Sequence, residues 1–428
     1  MRTRRWPGAA AGVAAITCAA AIAFAATSND WRAPKAWTQF RLYGTSNAVL
    51  RGSLSVSWRT VTGAPYSSSP TADDRALYIG DNAGVLRAFD ITNGKVLWSA
   101  QVAKPLMSAP LLAAGLVIAG EGDESSPGNA TPSHPIHVGA GESALLAFDR
   151  RTGALRWRIP LPGSGMPTPA IMGNILVQHN GAGSLYGVDV PTGRVIYVKA
   201  LHSIASMTAA TPVSKYQFVT LGVDSNAVWL LDARTGATIA RTDFAPNASG
   251  FGDCPPAYDG KAIYCNYALP PYGSVPQQTD RFAVERAFAV DPRAGKRLWD
   301  VYLERGSLPR RNEAAIPMLA YGMLYCGSSV APYVHALDPA TGALKWRKQV
   351  RGNVLGGIAA QGGAIYFGDL GGYLWALDAK TGAVIGDVYE GTPFNVGSPI
   401  IVGRTLVIGS RGGALIAVPL SHIRSSRD

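Results

Sequence analysis

The sequence has little charge, little cysteine and, after its first thirty residues, no long apolar run. Only 16% of its 428 residues are charged and 47% are hydrophobic, which excludes an intrinsically disordered polyelectrolyte. Beyond the N-terminal segment no apolar stretch approaches the roughly 20 residues that span a membrane. The motifs G-x-S-x-G, G-x-x-x-x-G-K and H-E-x-x-H are also missing, so three common classes of hydrolase and nucleotide-binding enzyme are not indicated.

The charge that is present is predominantly basic. Thirty-nine Lys and Arg against 28 Asp and Glu give a net charge of +11. The basic residues are scattered along the chain, and no nucleic-acid reader motif accompanies them. We therefore expect no nucleic-acid partner.

The N-terminus has the pattern of an export signal. Arg2, Arg4 and Arg5 precede an Ala-rich apolar stretch that ends near Ala26, and small residues suit signal cleavage there. Residues 1–26 are therefore predicted to be an export signal peptide or an N-terminal anchor. This places the protein in the periplasm or outside the cell, with membrane contact only through this segment.

A sequence motif recurs along the rest of the chain. A-F-D-I-T-N-G-K-V-L-W returns as A-F-D-R-R-T-G-A-L-R-W and A-L-D-P-A-T-G-A-L-K-W, and weaker copies keep an Asp with a Gly four residues later. The seven Asp–Gly turns are Asp90–Gly94, Asp149–Gly153, Asp189–Gly193, Asp232–Gly236, Asp291–Gly295, Asp338–Gly342 and Asp378–Gly382. Such a period of about 40 residues is typical of propeller blades.

Each copy contains four short alternating segments that favour β-strands. An eighth copy at the C-terminus has three strands, and Ser53–Val61 resembles the missing fourth. We therefore predict an all-β fold, an eight-bladed β-propeller of four-stranded antiparallel blades over residues 53–420, closed by its N-terminal strand. Residues 27–52 form a lead-in segment and residues 421–428 a basic tail.

An aromatic residue follows the turn Asp by eight positions in five copies, and Trp58 holds the matching position in the N-terminal strand. A large ring suits the wedge between neighbouring sheets, and its removal costs about 3 to 5 kcal/mol. The predicted docking aromatics are Trp58, Trp98, Trp157, Tyr197, Trp299 and Trp346.

The pattern A-x-D-x-x-T-G-x-x-x-W on eight blades resembles the pyrroloquinoline-quinone-like propeller family, from about Trp37 to Leu420. That family contains quinone-dependent dehydrogenases, which use pyrroloquinoline quinone (PQQ) and calcium. It also contains non-catalytic members such as the lipoprotein scaffold of the outer-membrane β-barrel assembly machinery, which this chain matches more closely in size. The resemblance implies a fold and leaves both functions open.

Two long insertions, Glu121–Ser143 and Tyr267–Glu285, are expected on one face of the ring, where binding usually occurs. On that face Asp253 is the candidate catalytic carboxylate, and Asn247 and Asp253 are candidate calcium ligands. His134 and His137 form a possible metal pair within a proline-rich loop. Further candidates for a cofactor are Asn247, Arg310, Arg311, Asn312 and Glu313. The alternative for these loops is a variable, solvated surface.

The cysteines suggest one disulfide. Cys254 and Cys265 flank Asp259-Gly260 symmetrically, so a two-residue hairpin turn there would place them opposite each other. Cys326 would then remain a buried thiol. The alternative is that all are small apolar strand residues.

No adjacent cysteines occur in the chain, and no segment matches the calcium-binding Glu of the quinone dehydrogenases. We therefore expect a monomeric, non-catalytic binding or assembly scaffold with a protein partner in the cell envelope, on the insertion-bearing face. The alternative is a PQQ- and calcium-dependent dehydrogenase that oxidises an alcohol or sugar.

Overall fold

The structure is a computed structural model that describes residues 54–123, 139, 141–201, 203–205, 207–222, 226–244, 255–269, 282–307 and 315–425. Within these residues the strands form eight four-stranded sheets. All strand pairs in the sheets are antiparallel, and the sheets follow one another along the chain. The predicted eight-bladed propeller is confirmed.

The first strand of each blade is short. These strands are β2 (Thr71–Ala72), β6 (Leu111–Ala113), β10 (Ala170–Met172), β14 (Thr211–Pro212), β18 (Ala257–Tyr258), β22 (Met318–Ala320), β26 (Ala359–Gln361) and β30 (Ile400–Val402). The second strands are β3 (Ala76–Gly80), β7 (Leu116–Glu121), β11 (Ile175–His179), β15 (Gln217–Gly222), β19 (Ile263–Leu269), β23 (Met323–Gly327), β27 (Ala364–Gly368) and β31 (Thr405–Gly409).

The third strands end at the turn Asp in six blades, and in blade six the strand ends one residue before it. They are β4 (Val85–Asp90), β8 (Glu142–Asp149), β12 (Ser184–Asp189), β16 (Ala227–Asp232), β20 (Phe282–Asp291), β24 (Tyr333–Leu337), β28 (Tyr373–Asp378) and β32 (Ala414–Pro419). The fourth strands are β5 (Val96–Gln101), β9 (Leu155–Pro162), β13 (Val195–Ala200), β17 (Thr238–Asp243), β21 (Lys296–Ser307), β25 (Leu344–Gln349), β29 (Val384–Tyr389) and β1 (Trp58–Val61).

Burial sets the radial order of the strands. First strands are buried and contact one another between blades, whereas fourth strands such as β5 and β25 alternate exposed and half-buried residues. The first strands therefore surround the axis, and the fourth strands form the rim.

The N-terminal strand completes the last blade, as predicted. Strand β1 pairs with β32, with Trp58 opposite Ala417 and Val61 opposite Ala414. The strand is shorter than predicted, but the residues before it still hydrogen-bond to β31, since the Val56 N–H donates to Thr405 Oγ1 at 2.9 Å. This pairing closes the ring and leaves no long unpaired edge.

The connections sort onto two faces. On one face, the Asp–Gly turns lie beside the hairpins that join first to second strands. In blade two, for example, the Arg150 N–H in the turn donates to the Gly115 carbonyl in the hairpin. On the other face, connections between blades meet second-to-third loops, as where the Leu106 N–H donates to the Asp81 carbonyl. Both insertions connect second to third strands by sequence, so we call this second face the insertion-bearing face.

The aromatics dock onto the next blade's Asp–Gly turn. Trp346 Nε1 donates to the Ala379 carbonyl at 3.1 Å, and a Cβ added to Gly382 would lie 2.7 Å from the Trp346 ring. The same pair of contacts joins Trp58, Trp98, Trp157, Tyr197 and Trp299 to the following turn. The turn Gly is thus required twice, for its positive φ and for the close approach of the ring.

A circle of hydrogen bonds joins the blades near the axis. Ser and Thr side chains before or in the first strands make these bonds at five boundaries between blades. At a sixth boundary the backbone N–H of Thr168 donates to the Thr208 carbonyl. The Thr71 hydroxyl, for example, donates to the Pro110 carbonyl at 2.6 Å. The segments that enter the first strands are therefore held at fixed positions around the axis.

The chain's last described element is a helix, α1 (Leu420–Ser425), within the predicted basic tail. It contacts β28, β29 and β32, and Ile423 is fully buried. Among the described residues, no helix is long and apolar enough to cross a membrane.

Candidate functional site

All residues that the sequence nominated for catalysis or binding, and one of the two disulfide candidates, lie outside the described residues. This group comprises Asn247, Asp253, Cys254, Arg310, Arg311, Asn312, Glu313, His134 and His137. Their roles, and the Cys254–Cys265 disulfide, therefore stay predictions. Within the described part of the chain, no group of three or more His, Cys, Asp or Glu is arranged to hold a metal ion.

The hairpin that motivated the disulfide has a different register from the predicted one. Tyr258 pairs with Ile263, and the Asp259 N–H donates to the Ala262 carbonyl. The turn is therefore centred one residue later than Asp259-Gly260, and position 265 lies opposite position 256. The assumption of symmetric cysteines was wrong, because the Asp259 carboxylate accepts the N–H groups of the two residues before β19 and starts the turn itself.

Among the described strands, those of blade five extend furthest onto the insertion-bearing face. Its outer hairpin, β20 and β21, has 10 and 12 residues, against 5 to 8 in the third and fourth strands of the other Asp–Gly blades. The extension packs against blade six, where the Ser307 N–H donates to the Val330 carbonyl at 2.9 Å. The extra residues of β20 and β21 have no counterpart in the other blades, and they lie against the sheet of blade six.

Two carboxyl groups and an imidazole meet at this boundary. Glu285 and Glu304 are opposite each other in the β20–β21 ladder, and Glu304 Oε2 lies 3.5 Å from Nε2 of His335 on β24. The three residues are 0%, 4% and 0% exposed. We call Glu285, Glu304 and His335 the acid cluster.

Hydrogen bonds satisfy only part of the acid cluster. The Ser329 hydroxyl donates to Glu285 Oε2 at 2.7 Å. Among the described residues, Glu285 Oε1, both oxygens of Glu304 and both ring nitrogens of His335 have no hydrogen-bond partner. Buried polar atoms normally find a partner, and such exceptions mark sites for water, an ion or a ligand.

Burial also changes the acidity of the cluster. Burial, with the neighbouring Glu304 carboxylate, raises the pKa of Glu285 to about 8, although the hydrogen bonds from Ser329 oppose the rise. Glu285 is therefore a proton donor at neutral pH. General acid–base catalysis uses such a set of groups, a proton donor beside a second carboxyl group and an imidazole.

A second cluster lies where the segments entering the first strands converge. Its buried side chains come from blades two, three, four, seven and eight, each four residues before the first strand: Met107, Met166, Met207, Leu355 and Val396. We call this set the axial cluster. It gives the axis apolar groups from these five blades on the insertion-bearing face, whereas the residue at the same spacing in blade one is the buried Ser67.

Comparison with known proteins identifies the family. The family model described as "Outer membrane protein assembly factor BamB" matches residues 47–128, 124–250 and 284–422. Tetrathionate hydrolase of Acidithiobacillus ferrooxidans is 24% identical over 366 residues, covering 83% of this chain and 72% of that protein. Tetrathionate hydrolase of Acidianus ambivalens is 25% identical, covering 79% and 68%.

Among solved structures, BamB from Moraxella catarrhalis superposes with a TM-score of 0.59 at 17% identity, covering 85% of this chain and 98% of that one. At that identity the likeness shows the fold alone. The family match extends over well more than half of the sequence. The chain therefore belongs to the PQQ-like propeller family represented by the outer membrane protein assembly factor BamB.

Proposed function

We propose that this chain is an exported hydrolase that cleaves a sulfur oxyanion of the polythionate class, with water activated at the acid cluster. The observation that carries the proposal is the burial of Glu285, Glu304 and His335 with five side-chain atoms that have no hydrogen-bond partner among the described residues. Burying such groups costs several kcal/mol. A blade boundary that served only packing would be more stable with apolar residues there.

Two further observations support this class of substrate. The similarity to tetrathionate hydrolases extends over about four-fifths of the chain in two distant organisms. The net charge of +11 favours the approach of an anion. Export, predicted from residues 1–26, would place the protein where such an anion arrives from outside the cell.

The chemistry requires only water and proton transfers. The oxygen of water would form a bond to a sulfur of the substrate, and an S–S bond would break with its electron pair leaving on the departing sulfur. Glu304 or His335 would accept the proton of the attacking water, and protonated Glu285 would supply one to the departing group. No external oxidant or reductant is needed.

Asp253 provides a second carboxylate to test. It stands four residues before β18, the spacing that in five other blades gives the members of the axial cluster. Among those five positions the residues are Met, Leu and Val, so an Asp at this spacing is the one charged exception in the sequence. We propose it as a second acid–base residue for the same reaction.

The second candidate function is the non-catalytic envelope scaffold predicted from the sequence, with a protein partner on the insertion-bearing face. The family description and the BamB fold favour it. The quinone alternative is less well supported. PQQ carries three carboxylates and needs cationic and hydrogen-bonding neighbours. Among the described residues the axial cluster offers only thioethers and aliphatic groups, and the cationic candidates Arg310 and Arg311 lie outside the described part of the chain.

Incubation of the purified protein with tetrathionate tests the proposal. We expect loss of tetrathionate with release of thiosulfate. The rate should fall by about a hundredfold or more for Glu285→Gln, the range of a removed acid–base group. Glu142→Gln, a change at a side chain 61% exposed in blade two, is the matched control. The same assay on Asp253→Asn tests the second carboxylate.

Wild-type protein that leaves tetrathionate and related polythionates intact would overturn the hydrolase proposal. Crosslinking to one envelope protein through the insertion-bearing face would then favour the scaffold. If the wild type, Glu285→Gln and Glu142→Gln are equally active, the protein is a hydrolase but the acid cluster takes no part in the reaction.

A further inference from the structure

Three methionines occupy the same position in three successive blades. Met107, Met166 and Met207 each stand four residues before the first strand of their blade. They are 3%, 1% and 8% exposed and belong to one contact cluster, the axial cluster. The chain has seven methionines in all, including Met1, so half of the other six are gathered at one place.

Hydrogen bonds between blades fix these three positions side by side. The Ala109 N–H, two residues after Met107, donates to Thr168 Oγ1 at 3.1 Å. The Thr168 N–H, two residues after Met166, donates to the carbonyl of Thr208, which directly follows Met207. The three side chains therefore start from backbone segments that are bonded laterally to one another.

The donor chemistry of the axial cluster is unusual for a metal site. Its only hetero atoms in side chains are three thioether sulfurs, since Leu355 and Val396 contribute hydrocarbon. Neutral thioethers are soft ligands, which select Cu(I) over hard cations such as calcium or magnesium. An apolar surround excludes water, and the loss of hydration costs a strongly hydrated divalent cation more than a weakly hydrated monovalent one.

We propose that Met107, Met166 and Met207 form a binding site for a soft monovalent metal cation of the Cu(I) type. This inference is independent of the proposed hydrolase, because Met107, Met166 and Met207 take no part in the proposed reaction. The competing explanation is that flexible methionines only fill an irregular gap at the axis, and the experiment separates the two.

Silver(I), a redox-inert substitute for Cu(I), is the probe, with Cu(I) under anaerobic conditions as the second ion. The full mature chain is titrated by calorimetry and by competition with a Cu(I) chelator. The test variant is M107L/M166L/M207L, because exchange of Met for Leu usually preserves core packing. The matched control is M172L/M318L/M323L, which changes the other three methionines after Met1 and leaves the axial cluster intact.

We expect the wild type and the control to bind one equivalent at the thioethers. Affinity should fall by about tenfold or more for each thioether removed, or about 1.4 kcal/mol per ligand. Every variant keeps the same cysteines, so binding at thiols is an equal background. If the triple variant does not fold, the three single Met→Leu variants report the same stepwise loss.

X-ray absorption of the Cu(I) complex identifies the donors. Three sulfur neighbours that disappear in M107L/M166L/M207L would support the site. Equal affinities in wild type, test and control variants, or no binding by the wild type, would overturn it and leave the methionines as packing residues.

Discussion

The acid cluster makes the stability of the propeller depend on pH in a defined direction. The pKa of Glu285 is raised to about 8 in the fold, against an ordinary value of 4.5. The folded state therefore holds a proton that the unfolded chain releases above pH 4.5. The stabilisation from this group is fully present below pH 4.5 and is lost as the pH rises to about 8.

The size of the effect follows from those two values. At about 1.4 kcal/mol per pH unit, the loss between pH 4.5 and 8 amounts to about 5 kcal/mol. A chain with roughly 370 residues in its fold unfolds with an entropy near 0.8 kcal/mol/K, so the loss corresponds to about 6 °C in Tm. Glu285→Gln keeps a neutral polar group of similar shape and cannot ionise.

Thermal unfolding from pH 5 to pH 8.5 measures this. We expect Glu285→Gln to gain up to about 6 °C over the wild type as the pH rises, and the exposed Glu142→Gln to show no such trend. In a Glu304→Gln background the gain should shrink, because the Glu304 carboxylate contributes to the raised pKa of Glu285. A difference between wild type and Glu285→Gln that is constant across this range would refute the reasoning.

Three further predictions concern the scaffold. Gly342→Ala should lower Tm more than Gly322→Ala, because both have positive φ but only the Gly342 Cβ would strike a ring, that of Trp299 at 2.8 Å; equal losses would contradict the docking contact. Asp369→Ala should cost about 3 kcal/mol or more, since its buried carboxylate accepts four N–H groups; urea unfolding with an unchanged midpoint would contradict this. Trp58→Ala should cost about 3 to 5 kcal/mol, and native-state proteolysis should then cut first in blade eight or one.

The sequence was sufficient to predict the blades, because the same contact between an aromatic ring and the next Asp–Gly turn recurs from blade to blade. An aromatic eight residues after the turn Asp reaches the next turn Gly, and both residues are visible in the chain. The ring closure by residues near Trp58 followed from the missing fourth strand of the last copy.

The acid cluster could not be predicted, because its register depends on two irregularities. Near its turn, β20 pairs Val290 with Arg297, and that register continued would place Glu285 opposite Tyr302. Shifts at Ala289/Val290 and Glu285/Arg286 instead bring Glu304 opposite Glu285. The Glu285-Arg286 pair within the largely apolar β20 was the available signal, and His335 in β24 was another.

The seam at Trp58 has a consequence for how the molecule is made. Strand β1 pairs with β32, while the Trp58 ring docks onto Gly94 of blade one. Strand β1 is synthesised first, but it can pair only after β32, about 350 residues later in the chain, has been synthesised. Contacts at such separation close slowly, so seven blades can assemble in order along the chain while the ring stays open, and blade eight becomes the last step of folding. In a variant circularly permuted at an Asp–Gly turn, a different blade would be the one completed by strands from both ends of the chain.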